Sequence, residues 1–266
     1  MDIKEKILIA GTIKDKPEII TEYLDSLKGL TKSKYEVSYY FVDDNVEEES
    51  SAILKSFKEE EKNVILVKSD NSDQIETVEQ DDFTHIWTYG LIDRITEFKN
   101  HIIEYAKENE FDYILFVDSD LYLHPSTLTQ LRSDDKDIVS CVFWTRWNAD
   151  SIELPQVWLQ DQYNMYTNGN SIDSSEQIAD FLNQMRVPGV YRVGGLGACT
   201  LISKHALKKG VNFSKIKNIS FWGEDRHFCI RAEALGLELF VDTHNPAYHI
   251  YRDSDLEGLN SYKKSF

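Results

Sequence analysis

Short apolar runs alternate with helix-period segments along most of this chain, and that alternation constrains the fold more than any other feature. Lys6 to Ala10, Tyr39 to Val42 and Val64 to Val67 read as short buried strands. Between them lie a helical pattern from about Pro17 to Leu27 and a second helix carrying Ala52, Ile53, Leu54 and Phe57. Such repetition packs as βαβ units on a mainly parallel sheet with helices on its faces. A long helix follows from about Leu91 to Glu108, with Ile95, Phe98, Ile102, Ile103 and Ala106 on one side. Tyr113-Ile114-Leu115-Phe116-Val117 is the strongest strand signal of all. Pro125 begins another helix and Ile138 to Trp144 another strand. The last third adds a strand at Ala198 to Ile202, a helix around Asp225 to Leu235 and a strand at Glu238 to Val241. Ser69 to Asp82 is an acidic surface loop, and Thr145 to Arg192 is irregular and aromatic.

Charge narrows the partners. The 266 residues include 46 acidic against 29 basic side chains, a net charge of -17, which disfavours nucleic acid or anionic lipid. A small phosphorylated ligand stays open, because a divalent cation can supply the positive charge it needs. The charged start, Met1-Asp2-Ile3-Lys4-Glu5-Lys6, leads straight into a strand and does not resemble a secretory signal. No apolar stretch approaches the roughly 18 residues that span a bilayer, so no transmembrane segment is expected. Cys141, Cys199 and Cys229 are widely spaced among apolar neighbours and read as buried thiols. Together these features point to the cytoplasm.

In an open parallel sheet, ligands bind beyond the carboxyl ends of the strands. Asp43-Asp44 and Asp118-Ser119-Asp120 both stand at such ends. The carboxylates of Asp118 and Asp120 are two positions apart, so in extended geometry they share one side. Paired hard oxygen ligands suit Mg²⁺ or Mn²⁺ with positions left open for diphosphate oxygens. The bland alternative is a solvated strand cap. A second such pair, Asp253-Ser254-Asp255, lies in a polar tail over 253–266 and reads as surface.

Four segments, in order, resemble the family 2 glycosyltransferases of GT-A fold. Lys99-Asn100, then Ala106, a strand and Asp118-Ser119-Asp120 is similar to that family's basic-Asn segment and metal motif. Phe41-Val42-Asp43-Asp44-Asn45 with Glu47 and Glu48 looks like its second strand and nucleoside turn. Phe221-Trp222-Gly223-Glu224-Asp225, Arg231, Gly236 and finally His249 look like its Glu-Asp helix and distal histidine. The ordered match covers roughly residues 6 to 128 and 190 to 252. It implies one Rossmann-like α/β domain over residues 1–252, with a mostly parallel sheet flanked by helices. Its nucleotide-binding part would fill about 1–128, and a small acceptor-side region about 129–252.

Roles follow from the resemblance. A nucleotide-sugar donor, with uridine as its base, would meet Thr12 and Asp44 or Asp43 at its nucleoside; Asp118 and Asp120 would hold its sugar or ribose, with Ser119 among the donor-binding residues. Asp118 and Asp120 would hold the metal, with His249 a further ligand or a diphosphate contact; as a ligand, its imidazole would favour Mn²⁺ over Mg²⁺. Asp225 would act as general base on an unidentified acceptor hydroxyl, giving inversion. Glu224 and Asp225 also read as acids at the positive end of a helix. Glu224, Trp222, Trp144 and Gly195 are acceptor-side candidates; the aromatic residues read equally as core, and Gly194-Gly195-Leu196-Gly197 as a plain turn. A retaining transferase, a sugar nucleotidyltransferase and an inactive sugar-nucleotide-binding module are the competing readings. Acceptor identity and oligomeric state have no sequence signal.

Overall fold

A computed structural model describes residues 4–70, 88–147, 151–159, 175–219 and 223–266. Strand β1 (Lys6–Ile13) pairs in parallel with β2 (Glu36–Asp43), placing Ile13 opposite Asp43. Helix α1 (Pro17–Gly29) joins them. Pro17 sits in its first turn, where a missing N–H costs nothing, and Ile20, Tyr23, Leu24 and Leu27 are buried. Helix α2 (Glu48–Glu60) buries Leu54 and Phe57 and leads to β3 (Val64–Lys68), which extends the sheet in parallel. Helix α3 (Tyr89–Glu108) is capped by the Thr88 hydroxyl, which accepts from the Leu91 N–H. It returns the chain to β4 (Tyr113–Val117), parallel to β1.

The remaining elements are β5 (Leu121–Tyr122), α4 (Thr127–Ser133), β6 (Ile138–Thr145), β7 (Leu154–Pro155), α5 (Ser175–Met185) and β8 (Val190–Val193). They continue as β9 (Cys199–Ser203), α6 (Lys204–Lys209), α7 (Glu224–Ala234), β10 (Leu239–His249) and α8 (Asp255–Lys263). The main sheet runs β3-β2-β1-β4-β9-β6-β10-β5. Strand β9 is antiparallel to both β4 and β6, and β10 is parallel to β6, so β3, β2, β1, β4, β6 and β10 share one direction. The sheet is therefore mostly parallel with antiparallel insertions, flanked by helices as the sequence implies. Along β4, Ile114 and Phe116 enter the core on one face while Leu115 and Val117 enter the core on the other. A strand buried on both faces reads as a continuous apolar run, which is why its signal is so strong.

Three expectations change. Strand β10 runs to His249 rather than stopping near Val241: its register shifts between Asp242 and Ala247, and this break carries the polar Thr243-His244-Asn245-Pro246. Helix α5, with Phe181 and Met185 buried, lies within the stretch expected to be irregular. The expected polar tail carries α8, where Leu259 is buried and the Tyr262 ring meets Tyr122 and Tyr248. Most of the expected acidic loop from Ser69 to Asp82 lies outside the described residues. All three cysteines are free and buried. Among the described residues, no helix is long and apolar enough to cross a membrane.

Candidate active site

The carboxyl ends of β1, β2 and β4 open on a cleft that is continuous with solvent. Thr12 and Lys14 line it from the end of β1, Asp44 from β2, and Asp118, Ser119 and Asp120 from β4. Leu91, Ile95, Phe98 and Lys99 of α3 form an opposite wall, and Glu224 closes it from α7.

The two neighbouring aspartates at the end of β2 have different surroundings. The Asp43 carboxylate accepts from the Asn45 backbone N–H (3.1 Å), the Asn45 side chain (2.8 Å) and the Ser51 hydroxyl (3.1 Å), and Lys68 Nζ lies 3.2 Å away. It is 1% exposed and ties the turn to α2. Its place is structural, and the cleft-lining member of the pair is Asp44. Asp44 Oδ1 accepts from Ser69 Oγ (2.5 Å) and from Arg94 Nε and Nη2 (3.0 and 2.6 Å). The Arg94 guanidinium also lies 5.3 Å from the Phe98 ring. Arg94 carried no signal in the sequence reading, because its partner is 50 positions away.

His249 reaches Asp120 through backbone pairing. Beyond its register shift β10 pairs antiparallel with β5, setting His249 opposite Leu121, and the Ile250 N–H donates to the Asp120 carbonyl at 2.8 Å. His249 Nε2 lies 2.9 Å from Asp120 Oδ2, and Nδ1 lies 2.9 Å from Thr145 Oγ1. Thr145 thus fixes the ring from behind, an orienting contact that the sequence did not disclose. Burial pushes the Asp118 carboxyl up to about 6, with Lys99 opposing and Asp120 adding to the rise. Burial and Asp120 likewise hold Asp15 well above the carboxylate range, although the Ser119 hydroxyl donates to it.

Among the described residues, no three His, Cys, Asp or Glu side chains stand ready to hold a metal ion unaided. Asp118, Asp120 and His249 still fit a partial donor set, because diphosphate oxygens and water complete such a shell. The crowding of Asp15, Asp118 and Asp120 leaves excess negative charge for a cation to offset. The Asp120–His249 hydrogen bond would open to admit it.

Asp225 stands in the first turn of α7, directly after Glu224. The N-cap is Gly223, whose φ of 121° only glycine adopts readily. Lys99 Nζ lies 2.6 Å from Glu224 Oε1, 3.3 Å from Asp225 Oδ1 and 3.9 Å from Asp118 Oδ1. Lys99 and Glu224 are 3% and 5% exposed. Glu224, expected to shape the site or meet the acceptor, is the buried partner of this ammonium and a wall of the cleft. Deleting one member of such a pair costs about 3–5 kcal/mol, so the pair is built into the fold. Burial opposes the Lys99 charge, but Asp225, Glu224 and Asp118 together hold its pKa well above the usual lysine value. One ammonium cannot neutralise three carboxylates. Burial therefore prevails at Asp225 over the pull of Lys99, and its carboxyl is pushed up to about 7.

The other acceptor-side candidates are placed as follows. A Cβ on Gly195 would fall 1.9 Å from Trp158 Cε2, and the Gly195 N–H donates to the Trp158 carbonyl at 2.9 Å. The close approach that Gly195 permits is to this indole and not to a sugar. Trp144 lies under Arg186, whose guanidinium carbon is 3.8 Å from the ring centroid. Trp222 lies outside the described residues.

Comparison with known proteins bears on the family and the fold. A family model described as glycosyltransferase family 25, N-terminal domain, matches residues 4–149. No curated protein matches the sequence. Among solved structures, S. aureus TarS superposes with a TM-score of 0.54 at 16% identity, covering 91% of this chain and 36% of that one. TarS 1-349 in complex with UDP gives 0.54 at 16% identity, and with UDP-GlcNAc 0.51 at 17%. Each covers 91% of this chain, and 59% and 57% of the other. This chain thus spans less than two thirds of the length of these structures, and at such identity the likeness shows the fold alone. The family 2-like fold read from the motifs stands on these findings, and through its matched N-terminal domain the chain belongs to glycosyltransferase family 25.

Proposed function

We propose that the chain transfers a sugar from a uridine diphosphate donor to a hydroxyl acceptor, with divalent cation assistance and inversion at the anomeric carbon. The observation that carries this reading is that Asp44, Asp118 and Asp120 line one cleft, with Arg94 on Asp44, His249 on Asp120, and Asp225 in contact with the cleft-lining Lys99. Uridine is favoured because TarS structures of the same fold are complexes with UDP and UDP-GlcNAc.

In this reading Asp44, kept in place by Arg94 and Ser69, accepts a hydrogen bond from the nucleoside, and Thr12 lines the same end. Apolar Leu91, Ile95 and Phe98 pack against the base. Asp118, Asp120 and His249 hold Mn²⁺ or Mg²⁺, which when bound offsets charge on the departing diphosphate. Ser119, its hydroxyl donated to Asp15, shapes the turn beside the ribose. Lys14 adds a cation at the mouth of the cleft. Asp225 takes the acceptor proton as the hydroxyl oxygen attacks the anomeric carbon and the bond to the diphosphate breaks. Its raised pKa suits that task near neutral pH, where a base must be both unprotonated and basic.

A panel of uridine and other nucleotide sugars, incubated with Mn²⁺ and mixed saccharide acceptors, tests this directly. Release of nucleoside diphosphate, fastest from a uridine donor, is the expected result, with proton NMR showing an inverted anomer in the product. A retained anomer rules out the assigned role of Asp225. No release from any donor rules out the transferase reading.

A further inference from the structure

Two groups without an assigned role meet the Asp225 carboxylate from opposite oxygens. Lys99 Nζ lies 3.3 Å from Oδ1. On the other oxygen is Gly197: a Cβ built there would fall 2.5 Å from Oδ2 and 3.1 Å from Cγ, and its next neighbour is Asp225 Cβ at 3.6 Å. Gly197 does not have the positive φ that favours glycine, whereas Gly210, Gly223 and Gly236 do. Its own backbone therefore accepts alanine. The side chain missing at Gly197 makes room for Asp225.

Both groups are themselves held in place. Lys99 is anchored at 2.6 Å by Glu224, with the Phe213 ring 5.1 Å from its nitrogen. The Gly197 carbonyl accepts from the Cys199 N–H at 2.6 Å and the Thr200 hydroxyl at 3.2 Å. The next residue, Ala198, has a φ of 49°, and its carbonyl accepts from the Asp118 N–H at 2.9 Å. One turn thus fixes both the floor under Asp225 and the start of the Asp118-Ser119-Asp120 motif.

We propose that Lys99 and Gly197 are positioning residues that clamp the Asp225 carboxylate for the chemical step. The clamp rests on the reading of Asp225 as general base. Its physical basis is orientation: a reacting group displaced by about 1 Å loses on the order of 10²-fold in rate. Gly197 does not line the cleft, whereas Lys99 lines it and also lies 3.9 Å from Asp118, so the separation of chemistry from nucleotide affinity is tested at Gly197.

Gly197→Ala tests the clamp with little risk to the fold, because the atom that must yield is the end of a side chain. Its crystal structure should show the Asp225 carboxylate moved by roughly 1 Å, towards ordinary contact at about 3.5–4.0 Å. The melting temperature and UDP affinity in Mn²⁺ should match wild type. kcat on the donor that wild type consumes fastest should fall about 100-fold. Lys99→Met should lose kcat similarly, and Lys99→Arg should recover part of it. An unmoved Asp225 in Gly197→Ala, or UDP affinity falling in step with kcat, overturns the clamp. A displaced Asp225 with undiminished turnover overturns both the clamp and the base assignment. A wild type that consumes no donor counts against the transferase alone, since displacement of Asp225 in the Gly197→Ala crystal still supports the clamp.

Discussion

Asp225→Asn is expected to slow sugar transfer by about 10² to 10⁴-fold while leaving the fold and UDP affinity near wild type. Asparagine keeps the size of the side chain and can still contact Lys99 through its amide oxygen, but it cannot take a proton. The wild-type pH profile carries a second signature. Burial, opposed by Lys99, holds the Asp225 carboxyl up to about 7, so kcat/KM should rise with pH through that value and level off above it. The sign follows from the base having to be ionised before it can act. Asp225→Asn should retain only a slow rate without this acid limb. A mere charge at a helix start would cost about 1 kcal/mol or less of stability and leave turnover alone. Steady-state kinetics from pH 5 to 9, alongside melting curves, separates the two roles: near-normal turnover in the variant rules out the base.

Asp120→Asn should abolish the stabilisation that Mn²⁺ and UDP confer together. A ligand present at 100 times its Kd stabilises the folded state by about 2.7 kcal/mol. For a chain of this size that is a rise of about 5–10 °C in melting temperature. Asparagine can preserve the 2.9 Å contact with His249 Nε2 but is a much poorer cation ligand. The unliganded melting temperature should therefore change little while the combined shift collapses. Thermal melts with Mn²⁺, UDP, both and neither measure this. A combined shift that survives in Asp120→Asn removes the metal assignment from this turn.

The fold was legible wherever one element could be recognised from its own residues. Strand β4 was read to its observed ends because both of its faces are buried. The ends of β10 and all of α8 were not. The break in β10 places polar residues where a strand signal should continue, and α8 buries Leu259 alone, its other contacts being rings and polar groups from distant segments. At the site, Asp118, Asp120, Asp44 and Asp225 could be singled out because each closes or opens a recognisable element, and His249 through the family resemblance alone. Arg94, Thr145 and Gly197 could not, since each acts on a residue brought to it only by the sheet order. Lys99 could be matched to a motif, but its three carboxylates come from β4 and α7, so its work was invisible in the sequence. Gly195 drew attention through spacing alone, and the neighbouring indole of Trp158 accounts for it.

The central claim is that this cleft holds a uridine diphosphate sugar, and a crystal structure with UDP and Mn²⁺ tests it most directly. The predicted result places the uracil between Asp44 and Phe98. It also places the diphosphate and the cation against Asp118, Asp120 and His249, with the Asp120–His249 hydrogen bond opened. Nucleotide bound away from Asp44, or no nucleotide in the cleft at saturating concentration, would contradict it.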